Sequence, residues 1–183
     1  MRKIMKLATS GVAGLVIAAT PVVLMSAGPA SAAVSARPSA HVMPSRHPSW
    51  PVVGLGAHGN RVWAIQYLLR ARGYRLRVDG RYGSATVADV RNFQLVRHLR
   101  VDGKVGPATW PKLILLVRPG NRGYAVRALQ NGLRYGYGYR IAVDGFFGRG
   151  TRDAVLRFQR RHGLVRDGVA GMTTWRALIW NER

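Results

Sequence analysis

The phrase Asp-Gly-x-x-Gly-x-x-Thr occurs four times in this 183-residue chain, at 79–86, 102–109, 144–151 and 167–174. The first two copies start 23 residues apart, as do the last two, and the pairs are offset by 65. Self-similarity of this kind restricts the fold more than any other feature, because the chain must build one small unit twice. The match extends beyond the phrase. Val62-Trp63-Ala64-Ile65-Gln66 corresponds to Val126-Arg127-Ala128-Leu129-Gln130 at a shift of 64. Phe93-Gln94 corresponds to Phe158-Gln159, and Trp110 to Trp175, at a shift of 65. The extra residue is placed in 136–140, where a loop absorbs it cheaply. This organisation predicts two domains, 51–115 and 116–183, each holding two half-repeats.

Each repeat reads as three short helices. Val62, Ile65, Leu68 and Leu69 follow helical spacing and Gly73 ends the run; Val126, Leu129 and Leu133 mark the second copy. The next helix carries Val90 and Phe93, or Val155 and Phe158, and a last brief one buries Trp110 and Leu113, or Trp175 and Leu178. Leu76 and Val78, like Ile141 and Val143, alternate with other residues in extended segments too short for a real sheet. The expected class is all-α, two tandem three-helix domains with one core each.

The repeated phrase always precedes a helix, and turn chemistry explains its fixed residues. Asp bonds nearby backbone N–H groups and Gly takes positive φ. Pro107 fits the first helical position, which makes Gly106 an N-cap and, by alignment, Gly83, Gly148 and Gly171 as well. Thr86, Thr109, Thr151 and Thr174 then stand where a hydroxyl can bond back to the cap.

Chemical readings of the phrase fit less well. A calcium loop needs several converging oxygens, whereas each phrase has one Asp and the chain has only 7 acidic residues. No phosphate-binding Gly-Lys-Ser/Thr and no nucleophile elbow is present. Gly54, Gly56 and Gly59 spell G-x-G-x-x-G, with Asp79 downstream, but no parallel βαβ pattern surrounds them. His41, His47, His58, His98 and His162 form no cluster at zinc spacing. The expectation is no cofactor, no metal and no catalytic residue.

Arg2, Lys3 and Lys6 precede an apolar stretch and Ala30-Ser31-Ala32, the pattern of a signal peptide cleaved before Ala33. Residues 33–50, rich in Ser, Pro, Ala, His and Arg, read as a disordered tether. Removing the three basic residues of 1–32 lowers the formal charge from +22 to +19 and leaves no membrane span. With no cysteine, stability after export rests on packing. Strong basicity points to an anionic partner, either a wall polymer, a membrane surface or nucleic acid.

Residues 126–178 resemble a bacterial peptidoglycan-binding domain of the three-helix type. The pattern runs V-x-x-L-Q, G-Y, V-D-G-x-F-G-x-x-T-x-x-A-V-x-x-F-Q, then D-G-x-x-G-x-x-T-W-x-x-L. Positions 62–113 carry it too, with Ile65 for Leu, Tyr82 for Phe and His98 for the glycine that ends helix two.

The resemblance implies non-covalent attachment to the peptidoglycan of the cell wall, its glycan strands and stem peptides, by domains usually appended to wall-cutting enzymes; with signal peptide, tether and two repeats using up the chain, the expectation is a secreted, wall-associated binder that is not an enzyme. Charge-driven binding of nucleic acid or teichoic-acid-type anionic wall polymers is the alternative, as is targeting of a separate cell-wall hydrolase. The candidate contacts are Asp79, Arg81, Tyr82 and Gln94 in repeat one, and Asp144, Phe147, Arg149 and Gln159 in repeat two. The arginines would pair carboxylates, the aromatics stack and the glutamines reach ligand amides. The competing reading is that Tyr82 and Phe147 close the core and the glutamines bond backbone.

Overall fold

The computed structural model describes residues 49–180; the stretch read as a signal peptide and nearly all of that read as a tether lie outside the described residues. Six helices follow in order: α1 (Asn60–Ala71), α2 (Ser84–Val96), α3 (Trp110–Leu113), α4 (Tyr124–Asn131), α5 (Arg149–Arg161) and α6 (Met172–Trp180). Among the described residues there is no strand, only single bridges between loop residues. The fold is all-helical, two tandem three-helix units.

Spacing accounts for the buried faces. Val62, Ile65, Leu68 and Leu69 of α1 are fully buried, as are Val126, Leu129 and Leu133 in the second copy. Trp110 and Trp175 occupy equivalent places at the centre of each core. Each indole N–H donates to the backbone just ahead of its repeat, Trp110 to Pro51 O at 2.8 Å and Trp175 to Leu115 O at 2.9 Å. The leading segments are also bridged to the second Asp-Gly loops, Val53 to Val105 and Val117 to Ala170. Trp50, at the far end of the stretch read as tether, is 4% exposed and stacks on Trp110 with centroids 5.9 Å apart.

Helix starts agree with the spacing at Gly83 and Gly148, which are the N-caps of α2 and α5, and α6 begins directly after Gly171. The start of α3 differs. Thr109, not Gly106, precedes α3. Pro107 lies in a turn instead, whose amides at Thr109 and Trp110 both donate to Gly106 O.

The extra residue of repeat two is also accommodated differently from expectation. The helix itself widens, α4 running into a π-helical turn at Gly132–Gly136. A π turn takes in one residue without breaking the helix. The lengthened turn places the Tyr137 hydroxyl to donate to Ala177 O at 2.8 Å and Leu178 O at 3.1 Å on α6. In repeat one Arg72 serves the corresponding place, donating to Lys112 O and Ile114 O behind α3.

The repeats share an interface along α1 and α4. Tyr67 of α1 stacks on Tyr124 of α4 at 6.4 Å. The Arg70 guanidinium lies 4.6 Å from the same ring and bonds its hydroxyl. Arg61 Nε donates to Ile179 O at 2.9 Å, and the Arg176 guanidinium covers Trp50 at 5.1 Å. The buried residues of both repeats thereby join in one hydrophobic cluster rather than one core each, which units of about 60 residues need to bury enough surface.

Candidate functional site

Each Asp-Gly loop is held by a glutamine from the helix before it, the same way four times. In the first, Gln66 Nε2 donates to Asp79 Oδ1 at 2.9 Å, Arg81 O at 3.0 Å and Thr86 Oγ1 at 3.3 Å. Gln66 Oε1 accepts from Gly80 N at 2.8 Å, and Asp79 Oδ1 accepts from Arg81 N at 2.9 Å. Gln94 serves Asp102, Lys104, Thr109 and Gly103. Gln130 serves Asp144, Phe146, Thr151 and Gly145. Gln159 serves Asp167, Val169, Thr174 and Gly168. All four glutamines are 1% exposed, so a loop of backbone polar groups is anchored to a buried amide that has both donors and an acceptor to offer.

The phrase is therefore the surface half of a glutamine-centred clasp. Its Gly must take positive φ, +72° at Gly80 and +80° at Gly145, to aim its N–H at the glutamine oxygen. Its Thr does not cap the following helix, as spacing had suggested. The α2 and α5 starts have no side-chain cap bond. Thr86 instead accepts from Gln66 and faces Arg81 O at 3.5 Å.

The clasp sets the electrostatics of Asp79, Asp102 and Asp144. The Gln66 amide, then the Arg81 N–H, hold the Asp79 carboxyl below its ordinary range. The Lys104 N–H is the main cause at Asp102 and the Phe146 N–H at Asp144, with the glutamines adding to each. These carboxylates stay ionised while their bonded oxygen faces inward.

The eight residues singled out by spacing divide into two groups. Gln94 and Gln159 lie inside their clasps, and Asp79 and Asp144 form the clasps' outer edge. The rings of Tyr82 and Phe147 are 1% exposed and close the cores. The Tyr82 hydroxyl donates to Gly103 O at 2.9 Å, tying the two loops of repeat one together, and burial pushes its phenol pKa up. Arg81 and Arg149 are exposed, one within a loop and the other as the first residue of α5.

Arg81 lines an open groove of about 470 Å³ with Gly56, Ala57, His58, Tyr82 and Gly83. His58 and Arg81 pair across it as a backbone bridge, and Arg122 and Phe146 form the equivalent bridge in repeat two. There the Arg122 guanidinium lies 4.1 Å from the Phe146 ring, which is 39% exposed. Spacing alone pointed to Phe147. The Phe146-Phe147 doublet did contain a clue, since neighbouring residues of an extended loop face opposite ways.

The G-x-G-x-x-G amides are engaged within the fold. Gly56 N donates to Tyr82 O and Gly59 N to Gly80 O, while Gly120 N and Gly123 N do the same with Phe147 O and Gly145 O. Among the described residues no three His, Asp or Glu side chains gather where they could hold a metal ion. No described helix is long and apolar enough to cross a membrane.

A family model described as a peptidoglycan binding domain matches residues 58–113 and 122–178. N-acetylmuramoyl-L-alanine amidase CwlL of Bacillus licheniformis is 33% identical over 153 residues, covering 65% of this chain and 42% of the amidase. The chain thus spans less than half the length of that relative. An uncharacterized protein in the bpoA1 3' region of Kitasatospora aureofaciens is 40% identical over 110 residues, covering 59% of this chain and 89% of that protein. The crystal structure of the SleB N-terminal domain is 37% identical, with a TM-score of 0.37, over 38% of this chain and 96% of that one. Two matches in tandem, covering both repeats and all four clasps, place the chain in the peptidoglycan-binding domain family.

Proposed function

We propose that the protein is secreted and attaches non-catalytically to peptidoglycan, with the outer edges of the first Asp-Gly loop in each repeat as the gripping surface. The supporting observation is the recurrence, in both repeats, of exposed cations beside an uncapped helix start with no acid in its first turn. In repeat one the cation is Arg81, bridged to His58 ahead of α2; in repeat two they are Arg122 beside Phe146 and Arg149 at the start of α5. Arginines offer bidentate N–H pairs to carboxylates, which stem peptides carry, and a helix N-terminus adds free amides and a positive dipole end. On this reading Asp79, Tyr82, Gln94, Asp144, Phe147 and Gln159 hold the loops in shape, and Arg81 and Arg149 touch the ligand. Two linked sites raise avidity without new contacts.

The test is co-sedimentation with purified sacculi stripped of anionic secondary polymers, at low and high salt. Retention at high salt, weakened about tenfold by Arg81→Ala with Arg149→Ala, is expected. Binding that vanishes with salt, or that needs unstripped walls, would make the +22 charge of the chain the real cause and favour a charge-driven binder of anionic polymers. The kinship with part of an amidase favours a second role, targeting a separate cell-wall hydrolase. That role predicts wall cleavage accelerated only when such an enzyme is added.

A further inference from the structure

A second open cleft, of about 450 Å³, lies where α1 meets α4 and its π turn. Its lining is Asn60, Trp63, Tyr67, Asn131, Tyr135 and Val143, none of which is charged at neutral pH in a chain of formal charge +22. Its size is in the range of small-molecule sites. Trp63 and Tyr67 stand one helical turn apart with ring centroids 5.9 Å apart, and Tyr135 projects from the π turn at 61% exposure. Two rings are backed by the fold: Trp63 rests on Gly80, where a Cβ would come within 2.7 Å of the indole Cδ1, and Tyr67 stacks on Tyr124.

Two observations separate this cleft from ordinary inter-helix space. Asn131 is 5% exposed, yet its Oδ1 has no hydrogen-bond partner. Buried amide oxygens are nearly always satisfied, and an exception calls for an explanation. The lining is also not what the repeat supplies twice. The positions equivalent to Trp63, Tyr67 and Tyr135 are Arg127, Asn131 and Ala71. Two of the aromatic residues come from α1, and the structural irregularity of repeat two, the π turn, delivers the third.

We propose that this cleft binds a neutral, N-acetylated pyranose ring, a unit of the glycan strand, while the Asp-Gly loops face the peptide. The proposal rests on the wall-binding reading above and deepens it. Aromatic faces take the apolar C–H face of a sugar ring and need no charge to do so. Asn131 and Asn60 bring two side-chain amides to the lining, the hydrogen-bonding groups that an acetamido substituent calls for. Because the lining comes from both repeats, one repeat alone cannot form the site.

The test titrates the protein with the β-1,4-linked tetramer of N-acetylglucosamine, following indole N–H resonances by NMR and affinity by calorimetry, with the unsubstituted glucose tetramer as comparator. The Trp63 resonance should move and the comparator should bind more weakly. Trp63→Arg and Tyr135→Ala should each lower affinity about tenfold. Both substitutions install the residue the sister repeat already carries, and in repeat two Arg127 covers Gly145 as Trp63 covers Gly80. A saturating tetramer that leaves the Trp63 resonance in place, or variants that bind like the parent, overturns the proposal. If the parent still sediments with sacculi in that case, the wall-binding reading stands. If the tetramer fills the cleft of a protein that sacculi do not retain, the sugar site stands and the wall-binding reading falls.

Discussion

Replacing Gln130 with leucine asks whether the clasp holds the Asp-Gly loop or merely decorates it. Leucine is no smaller than glutamine and so opens no cavity. The change removes the bonds to Asp144 Oδ1, Phe146 O and Thr151 Oγ1, and the acceptor for Gly145 N–H. Asp144 is exposed and keeps its bond from Phe146 N, so its loss is small. Gly145 N–H is left buried without its acceptor, and Phe146 O retains only the Thr151 hydroxyl at 3.5 Å. A buried polar group left unsatisfied costs about 1–3 kcal/mol, which puts the loss at about 3 kcal/mol for the two together. Urea unfolding should show a lower midpoint with an unchanged slope, and melting should fall by about 10 °C.

Acid supplies an independent check. The folded-state pKa of Asp144 is lowered, first by the Phe146 N–H and then by Gln130. Its contribution to stability is therefore complete above the ordinary carboxylate value and is lost as pH falls through the lowered one. Gln130→Leu removes part of that lowering, so its deficit should be largest at neutral pH and shrink below about pH 4. A deficit under about 0.5 kcal/mol, or one that grows in acid, would refute the clasp as the anchor of the loop.

Two other substitutions test the backbone. Gly80→Ala should cost about 2–3 kcal/mol, because φ is +72° and the new Cβ would run into the Trp63 indole, whereas Gly73→Ala, at φ +94° with open space around it, should cost about 1 kcal/mol; equal losses by urea unfolding would dismiss the indole contact. His98→Gly should stabilise by about 0.5 kcal/mol, since His98 ends α2 at φ +52° where the equivalent residue in repeat two is Gly163 at φ +64°, and a lowered unfolding midpoint would show that the imidazole makes a contact worth more than the strain.

Much of the architecture was legible in the residues themselves. Periodicity located the helices and their buried faces, and the offset of 65 between phrases marked two repeats of two half-repeats each. The glycines at 83 and 148 marked helix starts, because N-cap preferences are local and need no tertiary partner. The resemblance of 62–113 and 126–178 to the peptidoglycan-binding domain pattern agrees with the family match.

What spacing left open depended on contacts between distant residues. Gln66 and Asp79 each stood out in the sequence, but only packing brings a side chain from a helix and a loop 13 residues later into one bonded unit. Which of Phe146 and Phe147 turns outward was decided by the core, which takes the second and leaves the first to Arg122. The π turn arose because the core prefers to keep Leu133 buried and let the helix widen. The cleft between the repeats was invisible for a related reason. Asn60, Trp63 and Tyr67 share a face of α1, but they meet Asn131, Tyr135 and Val143 only because two repeats pack α1 against α4. Local chemistry is written along the chain, whereas a surface made by two units packing together exists only once both have folded.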